Sequence, residues 1–173
     1  MDLTSYIRDV PDFPIPGILF KDITPLLRDW GAFGAAIERL VEPYKSNPPD
    51  VIVAVEARGF IFATPMAQAL GCGFAPVRKP GKLPAETASL EYELEYGSDE
   101  VEIHIDAVES GDRVLIVDDL LATGGTAAAT AELVEDLGGE VVGLAFLIEL
   151  DFLQGRAKLQ EYDVHTVIHF GSE

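Results

Sequence analysis

The chain has 173 residues, 48% of them hydrophobic, and carries 30 acidic against 12 basic side chains for a net charge of −18. That length predicts one domain, residues 1–173, with a true core, and the acidity excludes nucleic acid as an expected partner, since such binding draws on Lys and Arg meeting phosphates. No apolar run nears the roughly 20 residues that span a bilayer and no leader pattern opens the chain, so neither membrane nor export is expected; the lone Cys72 suits a reducing cytoplasm.

Residues 11–25 hold four prolines and a glycine, which predicts a hood or irregular segment packed over the domain, the hood taking about residues 1–28 in all. A helix is predicted over 29–45. The first clear strand is 51–55, followed by a turn at 56–59 and a helix over 60–70 that Gly71 can end in a left-handed cap. A strand over 74–78 comes next. Residues 79–97, rich in Pro, Gly and acids, read as a long loop with room for a hairpin over 90–96. Alternation marks 101–105 as a half-exposed strand, and a turn at 109–112 leads into a buried strand over 113–117. A helix over 126–137 stops at Gly138-Gly139, an apolar strand covers 141–148, and 164–170 closes the sheet. Strands alternating with helices predict an α/β fold, a largely parallel sheet with helices on both faces.

The stretch richest in chemistry is Val114-Leu115-Ile116-Val117-Asp118-Asp119-Leu120-Leu121-Ala122-Thr123-Gly124-Gly125-Thr126. A buried strand delivers two acids to its carboxyl end, where ligands of open α/β sheets collect, and a small-residue loop then opens a helix. Helix N-termini present free N–H groups to phosphate, and glycines let the backbone approach an anion closely. Residues 122–126 are therefore a candidate phosphate cradle, with the Thr123 and Thr126 hydroxyls as further donors. The loop lacks the Gly-Lys-Ser/Thr ending of ATP-type phosphate loops, so a sugar phosphate fits better. Carboxylates accept from paired ribose hydroxyls, yet successive strand residues face opposite ways, so both acids can serve one pocket only if the strand has begun to turn. Arg78, Lys79 and Lys82 form the densest basic cluster of the chain.

This acid-acid-Leu-Leu-Ala-Thr-Gly-Gly-Thr segment resembles the phosphoribosyl pyrophosphate motif of type I phosphoribosyltransferases. Phe13-Pro14-Ile15-Pro16-Gly17-Ile18-Leu19-Phe20-Lys21-Asp22-Ile23-Thr24, Glu56-Ala57-Arg58-Gly59-Phe60, Val77-Arg78-Lys79-Pro80-Gly81-Lys82-Leu83-Pro84 and Leu94-Glu95-Tyr96-Gly97 are similar to the adenine-specific branch, in order and spacing, over nearly the whole chain. The resemblance implies a type I phosphoribosyltransferase fold with a small hood and a flexible catalytic loop, about residues 80–97. It implies transfer of a phosphoribosyl group from phosphoribosyl pyrophosphate to adenine, giving AMP and pyrophosphate, with Mg2+ as cofactor and a homodimer as the working form.

By the same resemblance, the 5′-phosphate falls to Ala122, Thr123, Gly124, Gly125 and Thr126, and the ribose hydroxyls to Asp118 and Asp119. Arg58, Arg78, Lys79 and Lys82 fall to the pyrophosphate, and Glu95 becomes the acid-base residue beside the purine, with Tyr96 holding the pyrophosphate or the closed loop. Phe20 is set against the base, whose edge is read by backbone around Leu19 and Lys21. From the residues alone Phe20 would be core and Glu95 one more exposed acid in a charged run. Mg2+ is expected between diphosphate and ribose oxygens with water as its other ligands, so no protein ligand is assigned. His104, His165 and His169 have no metal-ligand spacing.

Ala122 occupies a position where hypoxanthine-guanine enzymes usually carry an aspartate, which favours adenine, and the hood segment discriminates against orotate enzymes. A nucleotide-sensing regulator on the same fold would call for a basic face or an added DNA-binding element, and neither is apparent in the sequence.

Overall fold

Prolines set the shape of the first 28 residues. In the computed structural model, which describes residues 1–94 and 97–172, β1 (Arg8–Pro11) and β2 (Leu19–Asp22) pair antiparallel, with Arg8 opposite Asp22 and Pro11 opposite Leu19. Pro14 and Pro16 are confined to the connection, where Gly17 takes a φ of +90° and its N–H donates to Asp12 Oδ1 at 2.8 Å. The hood is thus an ordered ribbon rather than an irregular segment. Its strands have four residues each, too few for alternation to show through the proline signal.

Helix α1 (Thr24–Arg28) leads into α2 (Trp30–Val41), which Asp29 caps by accepting from the Ala32 N–H at 2.8 Å. α2 stops short of residue 45 because Pro43 has no N–H for the ladder, and a 3-10 turn, Glu42–Tyr44, replaces its last turn. Then follow β3 (Val51–Val55), α3 (Arg58–Leu70), β4 (Gly73–Val77), the hairpin of β5 (Thr87–Glu93) and β6 (Ser98–His104), β7 (Arg113–Leu121), α4 (Gly125–Asp136), β8 (Glu140–Leu150) and β9 (Val164–Phe170). Gly71 ends α3 in the left-handed region, as its position predicts.

Five strands form one parallel sheet in the order β4-β3-β7-β8-β9. Their side chains alternate between two cores. Ile52, Ala54, Leu115, Val117, Ala145 and Leu147 face α2 and α3, where Ala36, Leu40, Phe62 and Met66 are buried. Val53, Ile116, Leu144 and Phe146 face α4 and the hairpin. Strands buried on both faces explain the near-continuous apolar runs in the sequence.

Within the expected long loop, residues 87–93 form the first strand of a hairpin and 79–86 stay irregular. β5 and β6 pair in register from Thr87 opposite His104 to Glu93 opposite Ser98. Ala88, Leu90 and Tyr92 pack on the second core while Glu91 and Glu93 are exposed, so the acids that suggested a loop are the solvent face of a period-2 strand.

Candidate active site

The chain runs from β3 outward to β4 and later returns to the other side of β3 with β7, so the order in which strands are added reverses between β3 and β7. Ligands of open α/β sheets sit beyond the carboxyl ends of strands at such a switch. A cavity of about 230 Å³ opens there, lined by Glu56, Ala57 and Arg58 after β3, Arg78 and Lys79 after β4, Tyr92 and Asp99 from the hairpin, and Asp118, Asp119 and Thr126. A hollow of about 90 Å³ beside it is walled by Asp118 and by Ala122, Thr123, Gly124, Gly125 and Thr126.

Both acids reach the cavity although β7 stays in register with β8 past Asp118, which pairs with Phe146. The reason lies in the neighbour: β3 pairs with β7 only as far as Val117, so the cavity wraps an uncovered strand end and no early turn is needed. Gly59 keeps α3 tight against that end, because a Cβ there would stand 2.9 Å from Asp118 Oδ1. The Glu56-Ala57 peptide between β3 and α3 is cis. Arg58 is the first residue of α3 rather than part of the preceding turn.

Each cation on the wall is paired with an acid. Arg78 makes a bidentate bond to Glu56, at 3.0 and 2.9 Å, and donates to the Lys82 carbonyl at 2.8 Å. Lys79 pairs with Asp99. Arg58 Nε lies 3.0 Å from Asp119 Oδ2, but the angle is poor and that oxygen, on a residue 5% exposed, makes no hydrogen bond. We read the contact as Coulombic, which leaves Asp119 an open acceptor at the cavity. Burial pushes the Asp118 carboxyl well above the usual carboxylate range, and the Asp119 charge adds to it. Burial raises Asp119 too, with Arg58 opposing. Lys79 holds Asp99 low, and Arg78 holds Glu56 low.

The hood meets this cavity through Phe20, whose ring lies 5.0 Å from the Arg58 guanidinium carbon. A second, apolar hollow of about 260 Å³ is lined by Val10, Phe13, Phe20 and Asp22. Leu19 is half-buried on β2. The Lys21 side chain turns away from the ring, bonding Asp9 at 2.7 Å and standing over Phe170, so only its backbone can read a base edge. Glu95 and Tyr96 lie outside the described residues.

Sequence reasoning missed two supports. Tyr92 places its hydroxyl 2.9 Å from Thr126 Oγ1 and 3.2 Å from Asp99 Oδ2; its inward place in an alternating strand was the available signal. Arg156 grips the buried Glu149 carboxylate from Nε and Nη2 at 2.8 to 3.0 Å, which pins a segment whose Gly155 abuts the cradle. A Cβ on Gly124 would fall 2.4 Å from the Gly155 carbonyl oxygen, and one on Gly155 would fall 2.3 Å from that of Ala122. Glu149, Asp151 and His169 come close enough to suggest a cation site, yet Arg156 and Thr166 already occupy Glu149. The signal there was a charged residue ending an apolar strand.

The geometry brings the small-residue loop of 122–126, two adjacent carboxylates and a cationic wall around two adjoining hollows. The phosphoribosyl transferase domain family matches residues 26–172 of the chain. A curated adenine phosphoribosyltransferase from Halothermothrix orenii is 60% identical over 168 residues, spanning 97% of this chain and 99% of the relative. The crystal structure of adenine phosphoribosyltransferase from Thermoanaerobacter pseudethanolicus superposes with a TM-score of 0.94 at 60% identity, over 97% of this chain and 98% of that one. The Saccharomyces cerevisiae enzyme, solved with an imino-altritol bisphosphate and adenine, gives 0.89 at 47% identity, over 95% and 96%.

Proposed function

The chain belongs to the phosphoribosyl transferase family, and we infer from that premise that it performs the reaction its relatives are named for, transferring the 5-phosphoribosyl group of phosphoribosyl pyrophosphate to adenine. It is a purine-salvage enzyme, a pentosyltransferase whose products are AMP and pyrophosphate. The observation that carries the residue assignment is the pair of adjoining hollows where the β3 and β7 ends meet, since they share Asp118 and Thr126 and between them gather the cradle, both acids and three cations.

In this reading Ala122, Thr123, Gly124, Gly125 and Thr126 hold the 5′-phosphate by N–H groups and hydroxyls at the α4 N-terminus. Asp118 and Asp119 accept from the ribose hydroxyls, which fixes the sugar and its anomeric carbon. Arg58, Arg78, Lys79 and Lys82 take the diphosphate, the leaving group, the first three exchanging their carboxylate partners for it. Phe20 forms one wall for adenine and backbone at Leu19 and Lys21 its edge. Glu95 manages the purine proton as N9 attacks the anomeric carbon, and Tyr96 steadies the pyrophosphate; the segment 80–97 closes to keep water from an oxocarbenium-like centre.

Mg2+ suits a site with this donor set, because the unbonded Asp119 Oδ2 and the Asp118 carboxylate are hard oxygen donors facing the cavity. These two acids would hold it, through water or directly, beside the substrate oxygens. When bound it supplies charge neutralisation to the departing diphosphate. A homodimer accords with the exposed Phe13, Ile15, Ile18 and Trp30 side chains. No described helix is long and apolar enough to cross a membrane, and the one free, half-buried cysteine accords with a cytoplasmic setting.

The reverse reaction tests this directly. AMP with pyrophosphate and Mg2+ should release adenine; failure to release it, with the forward reaction also silent, would refute the assignment.

A further inference from the structure

Among the described residues, the hydrogen bonding between the hairpin and α4 runs through Tyr92 alone. Tyr92 stands opposite Asp99 in the β5–β6 register, and its ring edge lies about where a Gly125 Cβ would make ordinary contact, at 3.5 Å. Its hydroxyl lies 2.9 Å from Thr126 Oγ1 and 3.2 Å from Asp99 Oδ2. Each hydroxyl has one proton to give. Asp99, kept ionised by Lys79, can only accept. While Tyr92 donates to Asp99, the bond to Thr126 must therefore be made with the threonine's proton. A phosphate in the cradle needs that same proton. Once Thr126 turns it toward a phosphate oxygen, Tyr92 keeps its bond to Thr126 only by donating to it and giving up Asp99.

We propose that Tyr92 is a positioning residue for the 5′-phosphate: phosphate binding reverses the Tyr92–Thr126 hydrogen bond, and Tyr92 then aims the Thr126 proton and ties the hairpin to the cradle. The inference rests on residues 122–126 being the 5′-phosphate site. A hydroxyl that accepts while it donates is the stronger donor, so Tyr92 raises affinity for the phosphate through Thr126 and not by touching it. The same switch moves the hold of the tyrosine from its cross-strand partner on β6 to α4, so an occupied cradle draws β5 toward the site.

The test is a double-mutant cycle read by calorimetric titration of ribose 5-phosphate into the full-length protein, Tyr92→Phe, Thr126→Val and the double variant. Both substitutions nearly conserve shape. Tyr92→Phe should weaken binding about three- to tenfold, but by less than about twofold when Thr126 is already valine, because the interaction it supports is then gone. In a Thr126→Ser background, which keeps the hydroxyl, the Tyr92→Phe effect should return. Equal weakening in the valine and wild-type backgrounds would overturn the proposal and leave Tyr92 a packing residue; so would unchanged binding by Tyr92→Phe alone. Wild-type protein that does not bind ribose 5-phosphate would instead remove the cradle assignment, and the proposal with it, before any variant is compared.

Discussion

Arg58 Nε stands 3.0 Å from Asp119 Oδ2 while the same guanidinium lies 5.0 Å over the Phe20 ring. One side chain thus touches an acid assigned to the ribose and the ring assigned to the base, from a position assigned to the leaving diphosphate. Its planar fork can grip two diphosphate oxygens and stack on Phe20 together, which an ammonium cannot. Arg58→Lys, which keeps the charge, should lower kcat/KM for phosphoribosyl pyrophosphate about 10- to 100-fold. Steady-state kinetics with varied phosphoribosyl pyrophosphate check this, and a change within twofold would show that charge alone suffices.

Glu95→Ala should lower kcat about 100-fold or more while KM for either substrate moves little, since a general acid or base acts on the transition state rather than on ground-state binding. Single-turnover measurements isolate the chemical step. Turnover equal to wild type would take Glu95 out of the mechanism.

Asp118 carries a stability cost that the role proposed for it explains. Burial raises its folded pKa above the unfolded carboxylate value, so its contribution to stability is fully present below a pH of about 4 and is lost as pH rises through the raised folded value. Asp118→Asn removes the ionising group but keeps an oxygen for the Asp119 N–H, which now donates to Asp118 Oδ1 at 2.8 Å. The variant should be the more stable protein at pH 8, by roughly 1 kcal/mol or about 2–4 °C in Tm, with the gap closing toward pH 4. It should also make AMP poorly. Thermal melts across pH check the sign, and a variant less stable than wild type at pH 8 would contradict it. Asp99 has the opposite sign: Lys79 lowers its pKa, so its stabilisation is present above the unfolded value and fades as pH falls through the lower folded one.

Gly124→Ala should destabilise the fold by about 2 kcal/mol or more. The position has a φ of +79°, and a new Cβ would stand 2.4 Å from the Gly155 carbonyl oxygen, on backbone rather than on a flexible side chain. Denaturant melts check the loss. An unchanged midpoint would mean that the segment bearing Gly155 yields freely despite the Arg156–Glu149 bonds that hold it.

What the sequence disclosed follows from how local each signal is. The strand, loop and helix start of residues 114–126 were legible because acids, glycines and helix start lie within thirteen consecutive residues, and β3, β7 and β8 were legible because both faces of each are largely buried. The ribbon of β1 and β2 was not, since four-residue strands separated by prolines show no period. The hairpin bounds were hidden for a related reason: the charges of Glu91 and Glu93 mask their place as every second residue of β5. Tyr92 beside Thr126, and Gly155 beside Gly124, are contacts across 34 and 31 positions that no local pattern encodes. Phe20 is the middle case, a residue that reads as core until the fold brings Arg58 over its ring.

The most direct test is nucleotide formation from phosphoribosyl pyrophosphate and Mg2+ with adenine, hypoxanthine, guanine and orotate offered separately. AMP from adenine, and no nucleotide from the other three, is the predicted result. Product only from another base would leave the cradle and cationic wall standing and overturn the role given to Phe20 and the hood, while no product from any base would contradict the account as a whole.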